Sequence, residues 1–113
     1  MYRKLSRESS IRRSMLAGIC KDVIMNEGVT TTEARAKEVR KFVDKMITYG
    51  KSGSLVSRRK ALAFLHNDSA VVDKIFNELA PRYADRKGGY TRIIKLNERK
   101  GDDALQVRLE LVD

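Results

Sequence analysis

The spacing of apolar residues changes once along this chain, and the change sets the order of its secondary structure. Up to Pro81 the apolar residues recur every three or four positions, which is typical of helices with one buried face. After Gly88 and Gly89 they alternate with polar residues, which is typical of strands. The sequence therefore predicts helices first and a small sheet after them, which is an α+β fold.

The first two predicted helices each begin at a capping residue and end at a glycine. The serines at 9–10 can cap the first, and Gly28 ends it. Its apolar positions fall four apart, at Ile11, Met15, Ile19 and Val23. Thr30 and Glu33 have the spacing of a capping box for the second helix, which is predicted to stop at Gly50.

Two shorter helices are predicted before the pattern changes. Ser54 can cap a third helix from Leu55 to about His66. Asp68 or Ser69 can cap a fourth, and Pro81 is expected to prevent its continuation because proline lacks an N–H and clashes with the preceding turn.

Three strands are predicted to form the sheet. A brief β-branched strand covers Val29–Thr31, a second covers Tyr90–Leu96, and a third in residues 104–113 follows the loop at 97–103. In the third strand the apolar face consists of Leu105, Val107, Leu109 and Leu111. We expect one compact domain over residues 1–113, with about four helices on a three-stranded mixed sheet and a basic, aperiodic tail at 1–8.

Basic residues outnumber acidic ones, and they cluster. The chain has 24 Lys and Arg against 15 Asp and Glu, a formal charge of +9. Residues 1–14 hold five bases and one acid, residues 35–60 hold nine and two, and residues 82–100 hold seven and two. One basic helix face is ordinary solvated surface, but three basic segments in one small domain favour a polyanionic partner. The candidate contacts are Arg3, Lys4, Arg7, Arg12, Arg13, Arg35, Lys37, Arg40, Lys41, Arg58, Arg59, Lys60, Arg86, Lys87, Arg92 and Lys95.

The glycine pair at 88–89 has two interpretations. Glycines allow a sharp turn, and they also let backbone N–H groups approach a phosphate without an intervening Cβ. Tyr90, directly after them, either stacks on a base or packs in the core. Phosphate contacts without an evident code for base edges predict recognition of RNA by its shape.

Catalytic and metal chemistry have little support in the sequence. Cys20 lies on the apolar stripe of the first helix, and His66 lies at a helix end. One cysteine and one histidine are too few for an ordinary zinc site or an internal disulfide. Asp102 and Asp103 sit in a predicted hairpin loop, and KGGY lacks the pattern of a phosphate-binding nucleotide loop. We therefore expect no enzyme activity, no cofactor, no metal and no small-molecule substrate.

Membrane association is not expected either. The longest unbroken apolar run is Ala61–Leu65, far shorter than the roughly 20 residues that cross a bilayer. The basic start of the chain is not followed by an apolar region of signal-peptide length. A cytoplasmic protein is expected.

Four blocks of the chain together resemble a known family. RRSML, GVTTTEARAKEVR, RKGGYTRIIKL and LELVD stand in the order and spacing of the bacterial large-subunit ribosomal protein number seventeen family. The resemblance implies an α+β fold, assembly on 23S ribosomal RNA near the exit of the peptide tunnel, and neighbours such as large-subunit protein thirty-two. Ala17 and Leu105 depart from the family pattern, which usually has arginine and proline there.

Carried over by position, the resemblance implies three groups of contact residues. The basic N-terminal arm corresponds to Arg3, Lys4, Arg7 and Arg12. The central block corresponds to Thr31, Thr32, Arg35, Lys37 and Arg40. The later block corresponds to Gly88, Gly89, Tyr90, Thr91 and Arg92.

Two other classes of function stay open at this point. In a dimeric DNA-binding regulator, the third helix would place Arg58, Arg59 and Lys60 in a major groove. That face has no Asn or Gln to read base edges. A basic enzyme acting on nucleotides would need a catalytic set that the sequence does not supply.

Overall fold

The computed structural model of the 113-residue chain describes the backbone of residues 2–98 and 105–113 and the side chains of residues 10–96 and 105–113. The element bounds are α1 (Tyr2–Asn26), β1 (Gly28–Thr32), α2 (Glu33–Ser52), α3 (Leu55–Phe64), α4 (Ser69–Lys74), β2 (Thr91–Glu98) and β3 (Leu105–Leu111). Helix α4 continues through a π-helical turn, Ile75–Leu79, into a last helical turn, Ala80–Arg82. The predicted α+β fold, with four helices and three strands in one domain, is confirmed.

The sheet has the strand order β1-β3-β2, and both pairings are antiparallel. The expectation of a mixed sheet is therefore wrong. An alternating pattern identifies a strand but carries no information about its direction, and β1 is too short for its own sequence to choose a partner. Val29 and Ile93 both lie opposite Leu109 in the central strand.

One hydrophobic core lies between the helices and one face of the sheet. The predicted apolar face of β3 is confirmed, since Val107, Leu109 and Leu111 are buried and Leu105 is partly buried. The helices contribute buried residues that include Val23, Ile24, Val39, Val43, Met46, Ile47, Val72, Ile75 and Leu79. Burial of these aliphatic side chains is the main contribution to the stability of the fold. Because the helices cover only one face of the sheet, the opposite face is exposed to solvent.

Helix α1 begins well before its predicted start. The helical backbone begins at Tyr2, so an aperiodic tail at 1–8 and a cap at 9–10 were wrong as descriptions of this segment. No Pro or Gly occurs before Gly18, and Arg, Lys, Leu and Glu favour helix without needing a buried face. Among the described side chains near the start of α1, Ile11 is 63% exposed and Met15 is 38% exposed, so these two lie outside the core.

The junction between α1 and β1 uses a different residue from the one predicted. Glu27, and not Gly28, adopts the left-handed conformation, with φ +64°. Gly28 is buried beside the sheet: a Cβ there would lie 2.5 Å from Nη2 of Arg108, whose flexible side chain would have to shift, and 3.1 Å from Cβ of Glu110. Helix α2 is then capped by Thr32 instead of Thr30, and the Thr32 hydroxyl accepts a hydrogen bond from the N–H of Arg35 at 3.4 Å.

Helix α2 passes through Gly50 and ends at Gly53. Gly53 has φ +68° and its N–H donates to the Tyr49 carbonyl, which is the arrangement that ends a helix in the left-handed conformation. Gly50 is buried, and a Cβ at this position would lie 2.8 Å from Cγ2 of Ile75. Its small size therefore allows close contact between α2 and the π-helical turn.

The predicted caps of the two short helices are confirmed. Ser54 accepts from the N–H of Ser57 at 3.1 Å, and Asp68 accepts from the N–H of Val71 at 3.4 Å. The prediction that Pro81 prevents continuation of the fourth helix is wrong. The helix capped by Asp68 passes through Pro81 and continues to Arg82. The wider π-helical turn changes the hydrogen bonding just before the proline, where an ordinary α-helix would place a carbonyl against its ring.

Candidate RNA-binding surface

Helix α2 presents a row of lysines to solvent. Its buried residues recur at helical spacing on one side, and Lys37, Lys41 and Lys45 stand four apart on the other, all exposed. Glu33 binds Lys37 at 3.0 Å. Lys41 and Lys45 have no carboxylate partner among the described residues, so their charges stay available to an anion.

From the sequence, Lys37 and Lys41 are candidate contacts, but Lys45 is not among them. The signal was present, because Lys45 follows Lys41 by four residues and therefore shares its helix face. Its ammonium group lies 6.0 Å from the centre of the Tyr49 ring, within range of a cation–π contact. Arg35 and Arg40 are also exposed and flank the row on its two sides.

The N-terminal basic residues divide into paired and unpaired groups. Arg12 contacts both carboxylate oxygens of Glu38, at 2.5 and 2.6 Å, and so joins α1 to α2. Arg13 is exposed and has no carboxylate partner among the described side chains. Arg3, Lys4 and Arg7 lie in the helical backbone of α1, and their side chains fall outside the described part of the chain.

Helix α3 carries three predicted contacts that are not equivalent. Arg58 binds Asp73, and its guanidinium carbon lies 5.3 Å from the centre of the Phe76 ring. This arrangement holds Arg58 against the fourth helical segment. Arg59 and Lys60 are exposed, and neither pairs with a carboxylate in the described ranges.

The glycine pair forms a joint in the left-handed region of backbone conformation, and its surroundings are open. Gly88 has φ +82° and Gly89 has φ +63°, and a Cβ at either would meet nothing within 4 Å. The exposed Arg86 and Lys87 precede this joint. Both the turn and the close approach of a phosphate are therefore compatible with the geometry.

Tyr90 is a core residue. It is 3% exposed, and its ring lies 5.3 Å from the ring of Tyr83. Its hydroxyl donates to the Arg86 carbonyl at 3.3 Å and accepts from Lys51 Nζ at 3.0 Å. The Lys51 contact lowers the pKa of the Tyr90 phenol. Of its two open roles the structure therefore favours packing, because a buried ring offers no stacking surface.

Arg92 and Lys95 lie on opposite faces of strand β2. Arg92 Nε lies 2.7 Å from Glu110 Oε1, on the face of the sheet away from the helices. Lys95 points to the opposite face of the strand from Arg92, because side chains alternate along a strand. On that face it lies near Glu33 at the start of α2, whose pKa is lowered by Lys37 first and also by Lys95. Each face of this strand therefore carries both a cation and an aliphatic residue, since Ile94 shares the side of Arg92 and is 41% exposed, and Ile93 shares the side of Lys95.

Several residues that the sequence singled out or passed over have internal roles. Cys20 is buried, and burial raises the pKa of its thiol to about 12, as expected of a packing residue. Ala17 is also fully buried, so this position belongs to the interior in this chain. Lys51 was not predicted as important, but it also donates to the Arg86 carbonyl and so holds the segment before the glycines.

Many of the exposed cations without a salt bridge lie on the neighbouring helices α2 and α3. We call this group the helical basic surface and define it by Arg35, Arg40, Lys41, Lys45, Arg59 and Lys60. Within the described ranges none of these six forms a salt bridge. Among the described residues there is also no group of three His, Cys, Asp or Glu side chains that could hold a metal ion, and no helix long and apolar enough to span a membrane.

Fold and surface together define a class, a small basic α+β protein with exposed cations along its helices. Comparison with known proteins gives the family. A model described as Ribosomal protein L17 matches residues 15–112. The chain therefore belongs to the ribosomal protein L17 family, and the resemblance found in the four sequence blocks is confirmed.

Individual relatives match almost the whole chain. The large ribosomal subunit protein bL17 of Caldanaerobacter subterraneus subsp. tengcongensis is 56% identical over 111 residues, covering 98% of each protein. The protein of that name from Ligilactobacillus salivarius is 55% identical over 125 aligned positions, covering 99% of this chain and 98% of its own. The one from Streptococcus uberis is 50% identical, covering 98% of both.

Proposed function

We propose that this chain is a structural component of the bacterial large ribosomal subunit in the cytoplasm and binds 23S ribosomal RNA through the helical basic surface. The observation that carries the proposal is the group of exposed cations on α2 and α3 that form no salt bridge with a carboxylate of the described residues. Assignment to the large subunit is supported by the names of the relatives, which are large ribosomal subunit proteins. An RNA partner is supported by the net charge of +9, which favours binding to a polyanion.

The mechanism is positioning by phosphate contacts. Lysine and arginine side chains displace counterions from the RNA backbone and supply affinity that does not depend on sequence. Arg59 adds a planar donor set suited to phosphate oxygens, and the lysines of α2 act as point charges. Because a rigid helix carries each group, the surface recognises the spacing of phosphates and hence the shape of the RNA.

The N-terminal arm and the glycine joint extend this contact in our proposal. Arg3, Lys4 and Arg7 contribute further cations at the start of α1. Gly88 and Gly89, next to Arg86 and Lys87, offer backbone N–H groups to a phosphate. The resemblance further implies a position near the exit of the peptide tunnel, beside neighbours such as large-subunit protein thirty-two, without catalytic activity or a cofactor.

The dimeric DNA-binding regulator has less support. Its recognition helix would use Arg58, Arg59 and Lys60, but Arg58 is held by Asp73 and Phe76. A groove-binding helix would then lose one of its three cations. Membership in the ribosomal protein L17 family also favours RNA over DNA.

A pair of double variants with equal loss of charge tests the proposal. Lys41→Gln with Lys45→Gln removes two unpaired cations, and Arg12→Gln with Lys37→Gln removes two that are already paired with carboxylates. We expect the tagged wild-type chain to sediment with large subunits and to protect 23S RNA from chemical probes. The first double variant should lose most of this protection, and the second should retain most of it. A chain that stays at the top of the gradient, or equal losses in both variants, would contradict the proposal.

A further inference from the structure

The face of the sheet turned away from the helices is a second surface with a different character. We call it the outer sheet face and define it by Arg92 and Ile94 of β2 and Arg108 and Glu110 of β3. In the antiparallel register Arg92 lies opposite Glu110, and Ile94 lies opposite Arg108. Side chains of directly opposed residues are neighbours, so these four form one continuous patch.

Aliphatic side chains are exposed on this patch. Ile94 is 41% exposed, and Leu96, which lies two residues further along where the register shifts, is 42% exposed. Strand β2 is also an edge strand, because it pairs only with β3. Scattered apolar residues are common on surfaces, but two on one edge strand beside an ordered ionic cluster point to a docking site.

The charges of the outer sheet face are largely neutralised within the patch. Glu110 lies between two arginines: its Oε1 is 2.7 Å from Arg92 Nε, and its Oε2 is 3.1 Å from Arg108 Nε. Contacts with Arg92 and then Arg108 lower the pKa of Glu110, so it stays ionised at neutral pH. A phosphate that approaches either guanidinium therefore meets a carboxylate as well.

The contrast with the helical basic surface decides which partner fits. There, Lys41, Lys45 and Arg59 offer positive charge without a salt-bridged carboxylate, and Leu55 and Val56 expose hydrocarbon one turn before Arg59 on α3. The two surfaces therefore differ in free charge and not in exposed hydrocarbon. On the outer sheet face two arginines share one carboxylate, which leaves a single positive charge beside exposed hydrocarbon. An RNA backbone suits the first surface, whereas a protein surface with an aliphatic and an acidic group suits the second.

We propose that the outer sheet face docks a second protein of the large subunit, whose aliphatic side chains cover Ile94 and Leu96 and whose carboxylate faces Arg92 and Arg108. This inference rests on the proposed function, because the subunit is where the partner is met. It concerns a different surface, however, and the two can fail separately. The chain would thus touch RNA with its helices and protein with its sheet.

Site-directed crosslinking in intact large subunits tests the inference. Ile94→Cys places a thiol on the outer sheet face, and a thiol-reactive diazirine attached there gives a carbene that inserts into either protein or RNA. Selective labelling is feasible because Cys20 is buried and the pKa of its thiol is raised to about 12. Thr48→Cys is the matched control, since Thr48 is exposed on α2, three residues beyond Lys45.

The expected result is a change of target between the two sites. In subunits that contain the labelled chain, position 94 should crosslink to a different ribosomal protein and position 48 to 23S RNA. If position 94 instead crosslinks to RNA or to a second copy of this chain, or gives no product while position 48 does, the inference is overturned. If neither labelled chain enters subunits although both melt as the unlabelled protein does, the proposed function fails instead.

Discussion

Arg82 contacts the Glu27 carboxylate twice, with distances of 2.8 and 2.9 Å between the paired nitrogen and oxygen atoms. Lys74 Nζ lies 3.3 Å from the same carboxylate and donates to the Met25 carbonyl at 3.0 Å. The carbonyl of Glu27 accepts from the N–H of Leu111 at 3.0 Å. Glu27 therefore connects the end of α1 to the last helical segment and to the central strand.

The Glu27 cluster predicts a dependence of stability on acid. Contacts with Arg82 first, and with Lys74, lower the pKa of Glu27 from 4.5 to about 2. Because the folded-state pKa lies below the unfolded value, the contribution is present above about pH 4.5 and is lost as the pH falls towards 2. Glu27→Gln should flatten this part of the stability profile and cost about 1 kcal/mol at pH 7, since the carboxylate is partly exposed and screened.

Urea unfolding of both proteins between pH 7 and pH 2 measures this effect. Glu33→Gln is the control, because Glu33 forms a single pair with Lys37 on the surface of α2. It should change the free energy of unfolding less than Glu27→Gln does. Parallel pH profiles for wild type and Glu27→Gln would show that the cluster does not contribute.

Two helical glycines should respond in opposite ways to the same substitution. A Cβ at Gly50 would lie 2.8 Å from Cγ2 of Ile75 and 3.1 Å from its carbonyl oxygen, whereas a Cβ at Gly18 would meet nothing within 4 Å. We expect Gly50→Ala to destabilise the protein by about 1–3 kcal/mol through overpacking. Gly18→Ala should stabilise it by about 0.5–1 kcal/mol by restricting the unfolded chain and favouring helix. Thermal or urea unfolding that gives both variants the same sign would contradict this account.

The start and end signals of the helices illustrate what the sequence could predict about the fold. Ser54 and Asp68 were predictable as caps because a cap depends on residues two or three positions away. The end of α2 was not, because both Gly50 and Gly53 can stop a helix. What separates them is the contact of Gly50 with Ile75, which lies 25 positions further along the chain. Local signals give an element, but tertiary packing decides where it ends.

The same limit applies to the candidate site. The sequence located the basic segments, since clustering of charge is visible without a fold. It could not separate Arg58 from Arg59, because the difference arises from Asp73 and Phe76 on another helical segment. Tyr90 was equally ambiguous until its ring was placed against Tyr83. Which cations are available to a ligand is a property of the folded surface.

The N-terminal segment is predicted to serve binding more than stability. The first α1 residue of the hydrophobic core cluster in the described range is Leu16, and Ile11 and Met15 are exposed. Deleting residues 1–8 should therefore leave the thermal midpoint nearly unchanged while weakening binding to ribosomal RNA, because it removes Arg3, Lys4 and Arg7. A calorimetric scan and a filter-binding titration measure the two quantities. A large fall in the midpoint would mean that this segment packs on the domain.

Arg58 and Arg59 provide adjacent positions for a test of phosphate contact. Binding of ribosomal RNA should weaken linearly in a plot of log K against log salt concentration. Arg59→Gln should reduce that slope by about one unit, because one phosphate contact is lost. Arg58→Gln should change it much less, because its guanidinium is already paired with Asp73. Equal changes would show that the salt bridge does not survive in the complex.

Substitutions at Gly89 can distinguish a conformational requirement for glycine from a requirement for phosphate contact. Gly89 has φ +63°, a conformation that a β-branched side chain strongly disfavours, and the space around its missing Cβ is open. We therefore expect Gly89→Val to lower the free energy of unfolding by about 1–3 kcal/mol. The apparent affinity for RNA should then fall only in proportion to the fraction of the protein that is unfolded. Gly89→Asn is the control for conformation, because asparagine tolerates the left-handed region, and it should melt close to wild type.

The asparagine variant also isolates the second role of the joint. Its side chain occupies the open space through which a phosphate would reach the backbone N–H groups of Gly88 and Gly89. If it melts normally but binds ribosomal RNA about tenfold more weakly, a difference of about 1.4 kcal/mol, close approach of a phosphate is required there. If it melts and binds normally while the valine variant is destabilised, the glycines serve the turn alone. In that case Arg86 and Lys87 remain as the candidate RNA contacts of this segment, because Arg92 is paired with Glu110 on the other face of the sheet.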